Sequence, residues 1–280
     1  MCVLMCGLTT IDISHYGSRP PRPNEKVAAR SSAVDVGGPA ANAARVAACL
    51  GVPTRLATCL GDGVLADLAR NILTQYHVHV LDIPGDDPLP ISSIFVDDSG
   101  QRTVSSANNA GRTIAPIDDE QLDMWLTDVS AVCVDAHLLD IQVPLARQAQ
   151  RRGIPVVFDG GSDKPGTSRL LPYISHAIVS ADFSFSHLNP ADYALAAQSH
   201  GDGPIQAYYA GQLTEISVPR VSVRDTLGAG DVLHGAFTAL LPRHDALTAL
   251  RQAASYASES TTLLGLPSWL HTLRAKHNKD

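Results

Sequence analysis

The sequence predicts an α/β fold: a parallel sheet with helices on both faces and a small β cover. Three observations predict it. Short apolar runs alternate with longer helical patterns, and strand–helix alternation marks a parallel sheet. Glycines close several of the helical patterns, as Gly51 does after AARVAACL and Gly153 after ARQAQRR. Two stretches, residues 14–36 and 91–106, break the alternation and read as extra strands.

In chain order, the apolar opening CVLMCGL predicts a first strand over residues 3–8. Residues 14–36 are rich in Pro and Arg and have no helical period. Two glycines then precede Pro39, and Pro in a first turn predicts a helix over 39–50. A strand over 55–60, a helix over 64–76 and a strand over 78–83 follow. ISSIFVDDSGQRTVSS at 91–106 places two β runs around DDSGQ, the pattern of a hairpin. Beyond it lie a helix over 119–128, a strand over 131–134, a helix over 144–152, strands over 155–158, 176–179 and 205–208, and three helices near the end. Residues 1–280 read as one domain. The inserted strands are placed to cover a site at the C-terminal edge of the sheet, where α/β proteins bind ligands.

Composition narrows the function classes. The chain has 280 residues, 45% hydrophobic and 18% charged, which suits a globular domain that buries its own core without disulfide or metal. A net charge of −7 argues against a nucleic-acid partner. No apolar run has the roughly 18 residues of a membrane span. The N-terminus lacks a basic segment ahead of its apolar run and reads as a strand, not a signal peptide. The cysteines, Cys2, Cys6, Cys49, Cys59 and Cys133, are odd in number, form no CxxC pair and sit mostly in apolar stretches. They read as buried reduced thiols of a cytoplasmic protein.

The segment with most chemistry is DTLGAGD at residues 225–231, followed by the helical VLHGAFTALL. Gly228, Ala229 and Gly230 leave backbone N–H groups bare at a helix start, which is an anion site. Glycine there also permits backbone angles that other residues resist. Asp231 falls in the first turn, where a carboxylate is repelled by an anion unless it acts as a base or is screened by a cation. The competing reading is a Gly-rich turn with Asp at a favourable helix position, and the residues alone do not separate the two. A second segment, GGPAAN at 37–42, sets Asn42 one turn into its helix. By itself it is as readily a turn and an apolar helix with one incidental amide.

GDGVLA at 61–66, with Asp82 about 20 residues on, is formally a dinucleotide fingerprint. Asp62 would however bring the wrong charge to a pyrophosphate, and the segment lies outside the first strand–helix unit. A structural turn fits better. DGGSDK at 159–164 follows a strand, so Lys164 stands where a phosphate is met, or is a solvated loop lysine. No P-loop motif and no HExxH occurs.

Together, DTLGAGD, GGPAAN and GLTTID at 7–12 resemble the ribokinase-like, or pfkB, carbohydrate kinases, in order and over essentially the whole chain. The GQRTV, VDAH and DTLGAGD segments look most similar to ketohexokinase-like members. The resemblance implies a ribokinase-like three-layer sandwich with a small β-sheet lid from about 14–36 and 91–106. It implies ATP-dependent transfer of a phosphoryl group to a carbohydrate hydroxyl, with Mg2+. Asp231 matches the catalytic base, and Gly228, Ala229 and Gly230 match the anion hole. Asp12, at the end of the family's first strand, Gly38 and Asn42 match positions that bond sugar hydroxyls. Arg102 matches a position near the sugar, and Thr226, Gly228 and Lys164 are implied to meet ATP. A homodimer through the lid is implied as well. The chain departs from the family at residues 180–183, SADF, where many relatives carry an N-x-x-E motif tied to magnesium. Asp182 stands there instead, Asp135 replaces a frequent Glu, and Asn24 lies near a lid Asp. The alternatives are a nucleoside kinase of the same fold, an inactive sugar-binding relative, and an NAD-dependent oxidoreductase built on residues 61–66.

Overall fold

The computed structural model describes residues 2–85, 87–107 and 114–277. In chain order its elements begin with β1 (Cys2–Cys6), β2 (Thr10–Tyr16), β3 (Ser31–Gly37), α1 (Pro39–Cys49), β4 (Thr54–Thr58), α2 (Val64–Gln75) and β5 (Val78–Asp82). The hairpin β6 (Ile91–Val96) and β7 (Arg102–Ser106) follows, then α3 (Asp119–Trp125), β8 (Val129–Val134), α4 (Leu139–Arg151), β9 (Val156–Gly160) and β10 (His176–Ser180). The chain ends through β11 (Leu195–Ser199), β12 (Ile205–Tyr209), β13 (Gln212–Ile216), α5 (Ala229–Leu240), α6 (Ala246–Ser260) and α7 (Leu266–His277).

The nine-stranded sheet runs β13-β12-β11-β10-β9-β8-β1-β4-β5. Every pairing from β11 to β5 is parallel, while β12 and β13 add an antiparallel edge. Side chains alternate across it with the period of a strand. Val3 and Met5 of β1 enter the core shared with α1, α2, α5, α6 and α7, whereas Leu4 and Cys6 enter the core shared with α3 and α4. This is the expected sandwich, helices on both faces of a mostly parallel sheet. Chain order reverses at β1, which lies between β8 and β4, so the carboxyl ends of β1 and β8 mark the switch point where such sheets bind ligands.

A second sheet, β3-β2-β6-β7, stands off this edge. It is built from the two stretches that broke the alternation, and β6 and β7 form the expected hairpin. It starts earlier than the sequence suggested. β1 stops at Cys6, and Asp12 lies in lid strand β2, not at the end of the first strand. Asp135 sets the break. It is 2% exposed, and its carboxylate accepts the Leu8 N–H at 2.8 Å and the Gln142 Nε2 at 2.9 Å. A Cβ on Gly7 would come within 2.1 Å of that carboxylate.

Four further elements differ from expectation. Helix α4 begins at Leu139 and runs through Pro144, because Ile141 and Gln142 are buried ahead of the proline. Helix α3 stops at Trp125, and Asp128 beyond it takes φ 60°. β11 and β13 were absent from the sequence reading. LAAQS is rich in Ala and resembles helix, while β13 is half exposed and held by a two-residue turn in which Ala210 (φ 50°) and Gly211 (φ 78°) both take positive φ.

Candidate active site

A cavity of about 930 Å³ opens between the lid and the sheet edge. Six of the residues singled out above line it together: Asp12, Gly38, Asn42, Arg102, Lys164 and Asp231. They come from β2, the start of α1, β7, the loop after β9, and α5, so only the tertiary fold unites them.

Asp231 lies in the first turn of α5, whose N-cap Gly228 takes φ 79°. The first helical bond is Val232 N–H to the Gly228 carbonyl, which leaves the N–H groups of Gly230 and Asp231 ahead of the ladder. The Ala229 N–H is turned to the Thr226 carbonyl at 3.3 Å, so Ala229 is the weaker donor of the three expected. The strain argument also moves. Gly228 has a positive φ and Gly230 does not, and a Cβ on Gly230 would meet nothing within 4 Å. The space over Gly230 is open, as an approaching anion requires. Gly228 lines a second cavity of about 230 Å³ on the other side of Asp12 and Asn42. Thr226, Ala229 and Gly230 line neither of the two cavities.

Asn42 donates from Nδ2 to Asp231 Oδ2 at 2.8 Å. Burial pushes the Asp231 carboxyl up to about 7, with Asp159 pushing the same way and Asn42, His234 and Arg102 opposing. A carboxyl near 7 has the basicity of a general base at neutral pH. Asp12 is raised by burial too; Thr10 and Ser92 hydrogen bonds oppose this, Asp35 adds to it and Arg45 opposes it. Its Oδ1 accepts the Thr10 hydroxyl at 2.6 Å. Gly38, at φ 91°, is fixed as glycine because a Cβ would sit 2.4 Å from the Leu8 carbonyl oxygen. A Cβ on Gly37 would lie 2.0 Å from Asp12 Oδ2, so Gly37 makes the room that the carboxylate occupies.

The lid touches the DTLGAGD loop directly. Arg102 donates to the Thr226 carbonyl at 2.9 Å, and the hairpin turn at Gly100 packs on the Arg224 carbonyl. Lys164 lies on the far wall, its Nζ 3.5 Å from the Ser162 carbonyl. Asp182 is exposed beyond β10, where the family's Glu is absent. Among the described residues no group of three or more His, Cys, Asp and Glu is gathered to hold a metal. Nor is any helix long and apolar enough to cross a membrane.

The dinucleotide fingerprint is a turn. Residues 61–63 end the link from β4 to α2 and residues 64–66 open α2, and Asp82 is occupied by the Leu60 N–H at 3.0 Å and the Arg70 guanidinium. Several supporting residues escaped the sequence reading. Asp225, 3% exposed, accepts the N–H groups of Leu227 and Gly265, each at 2.9 Å, and pins the loop from both sides. His234 lies between the Gly230 carbonyl at 2.7 Å and the Ile178 carbonyl at 2.9 Å, fixing the first turn of α5 to the sheet. The signal for both was position within or just after DTLGAGD. Asp159 and His137 lay within DGGSDK and VDAH but were not singled out there, and Arg45 carried no signal.

The family model for pfkB family carbohydrate kinase matches residues 2–269. The chain is 24% identical over 299 residues to ribokinase of Arabidopsis thaliana, covering 95% of this chain and 78% of that one. Among solved structures it is similar to Arabidopsis thaliana ribokinase complexed with ribose and ATP, with TM-score 0.76, 21% identity and coverage of 97% and 98%. It is likewise similar to ribokinase from Thermotoga maritima, with TM-score 0.76, 21% identity and 99% of both chains.

Proposed function

The chain belongs to the pfkB family of carbohydrate kinases, and from that premise we propose that it uses ATP, with Asp231 as the base that takes the proton from a sugar hydroxyl. The carbohydrate kinase class itself follows from the family: a phosphotransferase with an alcohol acceptor. The observation that carries the assignment of Asp231 is its position, raised to about 7 and facing the cavity that Asp12, Gly38 and Asn42 also line.

In this reading the sugar lies against Asp12, Asn42 and the backbone at Gly38. The hydroxyl oxygen attacks the γ-phosphorus, Asp231 accepts its proton, and the bond to the β-phosphate oxygen breaks to release ADP. Charge growing on the transferring group meets the N–H groups at the start of α5, in the open space over Gly230. Arg102 and Lys164 add positive charge at opposite walls, and Thr226 and Gly228 border the nucleotide. Magnesium enters with ATP as part of the substrate. Mg2+ keeps several waters and needs only one or two carboxylates beside phosphate oxygens, so Asp182, the carboxylate at the position of the family's N-x-x-E motif, would be the side chain to help hold it through water, and the ion would supply charge neutralisation on the phosphates.

The lid's outer strand β3 is exposed over Ser31–Val34, and we propose that it pairs with a second copy. All five cysteines are buried and free, which suits a reducing cytoplasm. The test is ADP release with ATP and magnesium across ketoses, aldoses and nucleosides, with Asp231→Asn as control. Turnover with a sugar that the variant loses supports the reading. Turnover confined to nucleosides moves it to a nucleoside kinase, and sugar binding without any ADP release makes the protein a binding relative.

A further inference from the structure

Helix α1 carries a charge where its pattern calls for an apolar residue. Arg45 sits within AARVAAC, and its side chain is 0% exposed. A buried guanidinium is costly unless its donors are used. Its Nη1 donates to the Val36 carbonyl at 2.8 Å, to Asp35 Oδ2 at 2.9 Å and to Asn42 Oδ1 at 3.3 Å. Nη2 donates to Asp35 Oδ1 at 3.3 Å, the guanidinium carbon lies 4.5 Å from the centre of the Tyr76 ring, and Nε has no partner. Asp35 and Val36 belong to lid strand β3, while Asn42 is the residue that bonds Asp231. One buried side chain therefore holds both the lid and the amide beside the base.

We propose that Arg45 is a positioning residue of the phosphoryl-transfer site: it holds Asn42 Oδ1, so that only the amide N–H groups face Asp231. The proposal rests on the reading of Asp231 as base. An Asn amide presents a donor and an acceptor of nearly equal shape, and its neighbours decide which way it points. Arg has donors only, so it faces Oδ1. Ionised Asp231 has acceptors only, so it faces Nδ2. The restraint matters when Asp231 is protonated. A free amide would then turn and accept a hydrogen bond from the acid's O–H through its oxygen, stabilising the form that cannot act as a base. With Oδ1 held by Arg45 that turn is blocked, and the site favours the carboxylate. The other groups facing Asp231 are Asp159 from the end of β9, His234 from α5 and Arg102 from β7, and none of them touches Arg45.

The experiment is the pH profile of kcat/KM for the wild-type protein, Arg45→Met, Asn42→Ala and the double variant. Arg45→Met should move the acid limb upward by about one pH unit, the tenfold change that one hydrogen bond to a charged group represents. In the Asn42→Ala background the same substitution should move it by less than about a third of that, because no amide remains to turn. Arg45→Lys, which keeps a donor, should restore the wild-type limb. An Arg45→Met limb that stays in place while activity falls equally at every pH overturns the proposal and leaves Arg45 a structural residue. So does an equal shift in both backgrounds, which would be the direct effect of its charge. Should Arg45→Met fail to fold with Asp35 left unpaired, Arg45→Met/Asp35→Leu removes the ion pair whole, a change proteins often tolerate, and the same upward move is expected. A wild-type profile with no limb near 7, together with an active Asp231→Asn, overturns the base reading itself and this proposal with it. A limb present but indifferent to Arg45 overturns the proposal alone.

Discussion

Replacing Asp231 with Asn should slow the enzyme and stabilise it, both for one reason. The carboxyl is raised from the ordinary 3.8 to about 7, mainly by burial. A carboxyl whose folded value lies above its unfolded value binds its proton more tightly in the folded state. The wild-type fold therefore loses stability as pH rises from about 4 to about 7, where the group must ionise in place, and the deficit is complete above 7. The full shift sets a ceiling of about 4 kcal/mol. The carboxylate borders an open cavity where solvent screens it, so about 1–3 kcal/mol is the working range. Asparagine keeps an oxygen to accept the Asn42 N–H and has nothing to ionise. At pH 8 the variant should melt about 2–6 °C above the wild-type protein, and near pH 4 the two should coincide. Its kcat should fall about 100-fold or more, with ATP binding kept. The assays are thermal melts at pH 4, 6 and 8 and steady-state ADP release. A variant that gains nothing at pH 8, or gains equally at every pH, would refute the buried-carboxylate argument, and retained turnover would refute the base.

Asp12→Ala should raise the sugar KM at least about tenfold and leave the KM for ATP nearly unchanged, since unpairing a site built for hydroxyls costs about 1–3 kcal/mol per group. Gly37→Ala should reproduce that pattern by displacing the Asp12 carboxylate, which stands 2.0 Å from the new Cβ, and a normal sugar KM in it would contradict the placement. Gly230→Val should keep the fold by circular dichroism, because a Cβ there meets nothing within 4 Å, yet lose activity; an active variant means the phosphate passes elsewhere. Gly235→Ala places a Cβ 2.5 Å from the Ala43 carbonyl and must push α5 off α1, stretching the Asn42–Asp231 bond. Its kcat/KM acid limb should rise, and a limb identical to wild type would show that the helix contact does not set the base.

The fold was legible where one physical rule governed a segment. Alternating apolar runs gave β1, β4, β5, β8, β9 and β10, and closing glycines gave the ends of α1 and α4. It was illegible where two rules competed. LAAQS has the composition of a helix and becomes β11 because Leu195, Ala196 and Ala197 are buried between β10 and β12. The start of α4 was hidden by Pro144, since the burial that overrides it comes from contacts far along the chain. The site divides in the same way. Asp231 could be named from the small residues ahead of it, while Asp12 and Asn42 came from the resemblance of GLTTID and GGPAAN to the family's segments, and all three line one cavity. Arg45 could not, and Asp159 was reached only as the start of DGGSDK. A charge inside AARVAAC reads as a helix surface until β3 is seen covering it, and nothing in VVFDG shows that its Asp faces Asp231.

The glycines explain why the site forms where it does. Its polar groups lie on segments far apart in the chain, Asn42 and Asp231 being 189 residues apart, so loop entropy opposes bringing them together. The fold overcomes this with backbone-level contact. Gly235 lets α5 rest on α1, Gly38 lets α1 start against Leu8, Gly37 gives Asp12 its space, and Gly7 gives Asp135 its own. At each point a Cβ would meet a carbonyl or carboxylate at 2.5 Å or less. Side chains at these junctions would separate the segments by the width of a methyl group, and the 2.8 Å bond from Asn42 to Asp231 would not survive that. The same contacts that pack the switch point thus set the distance between Asp231 and the Asn42 amide, so under the proposed reading packing at this edge of the sheet and proton transfer are not separable properties.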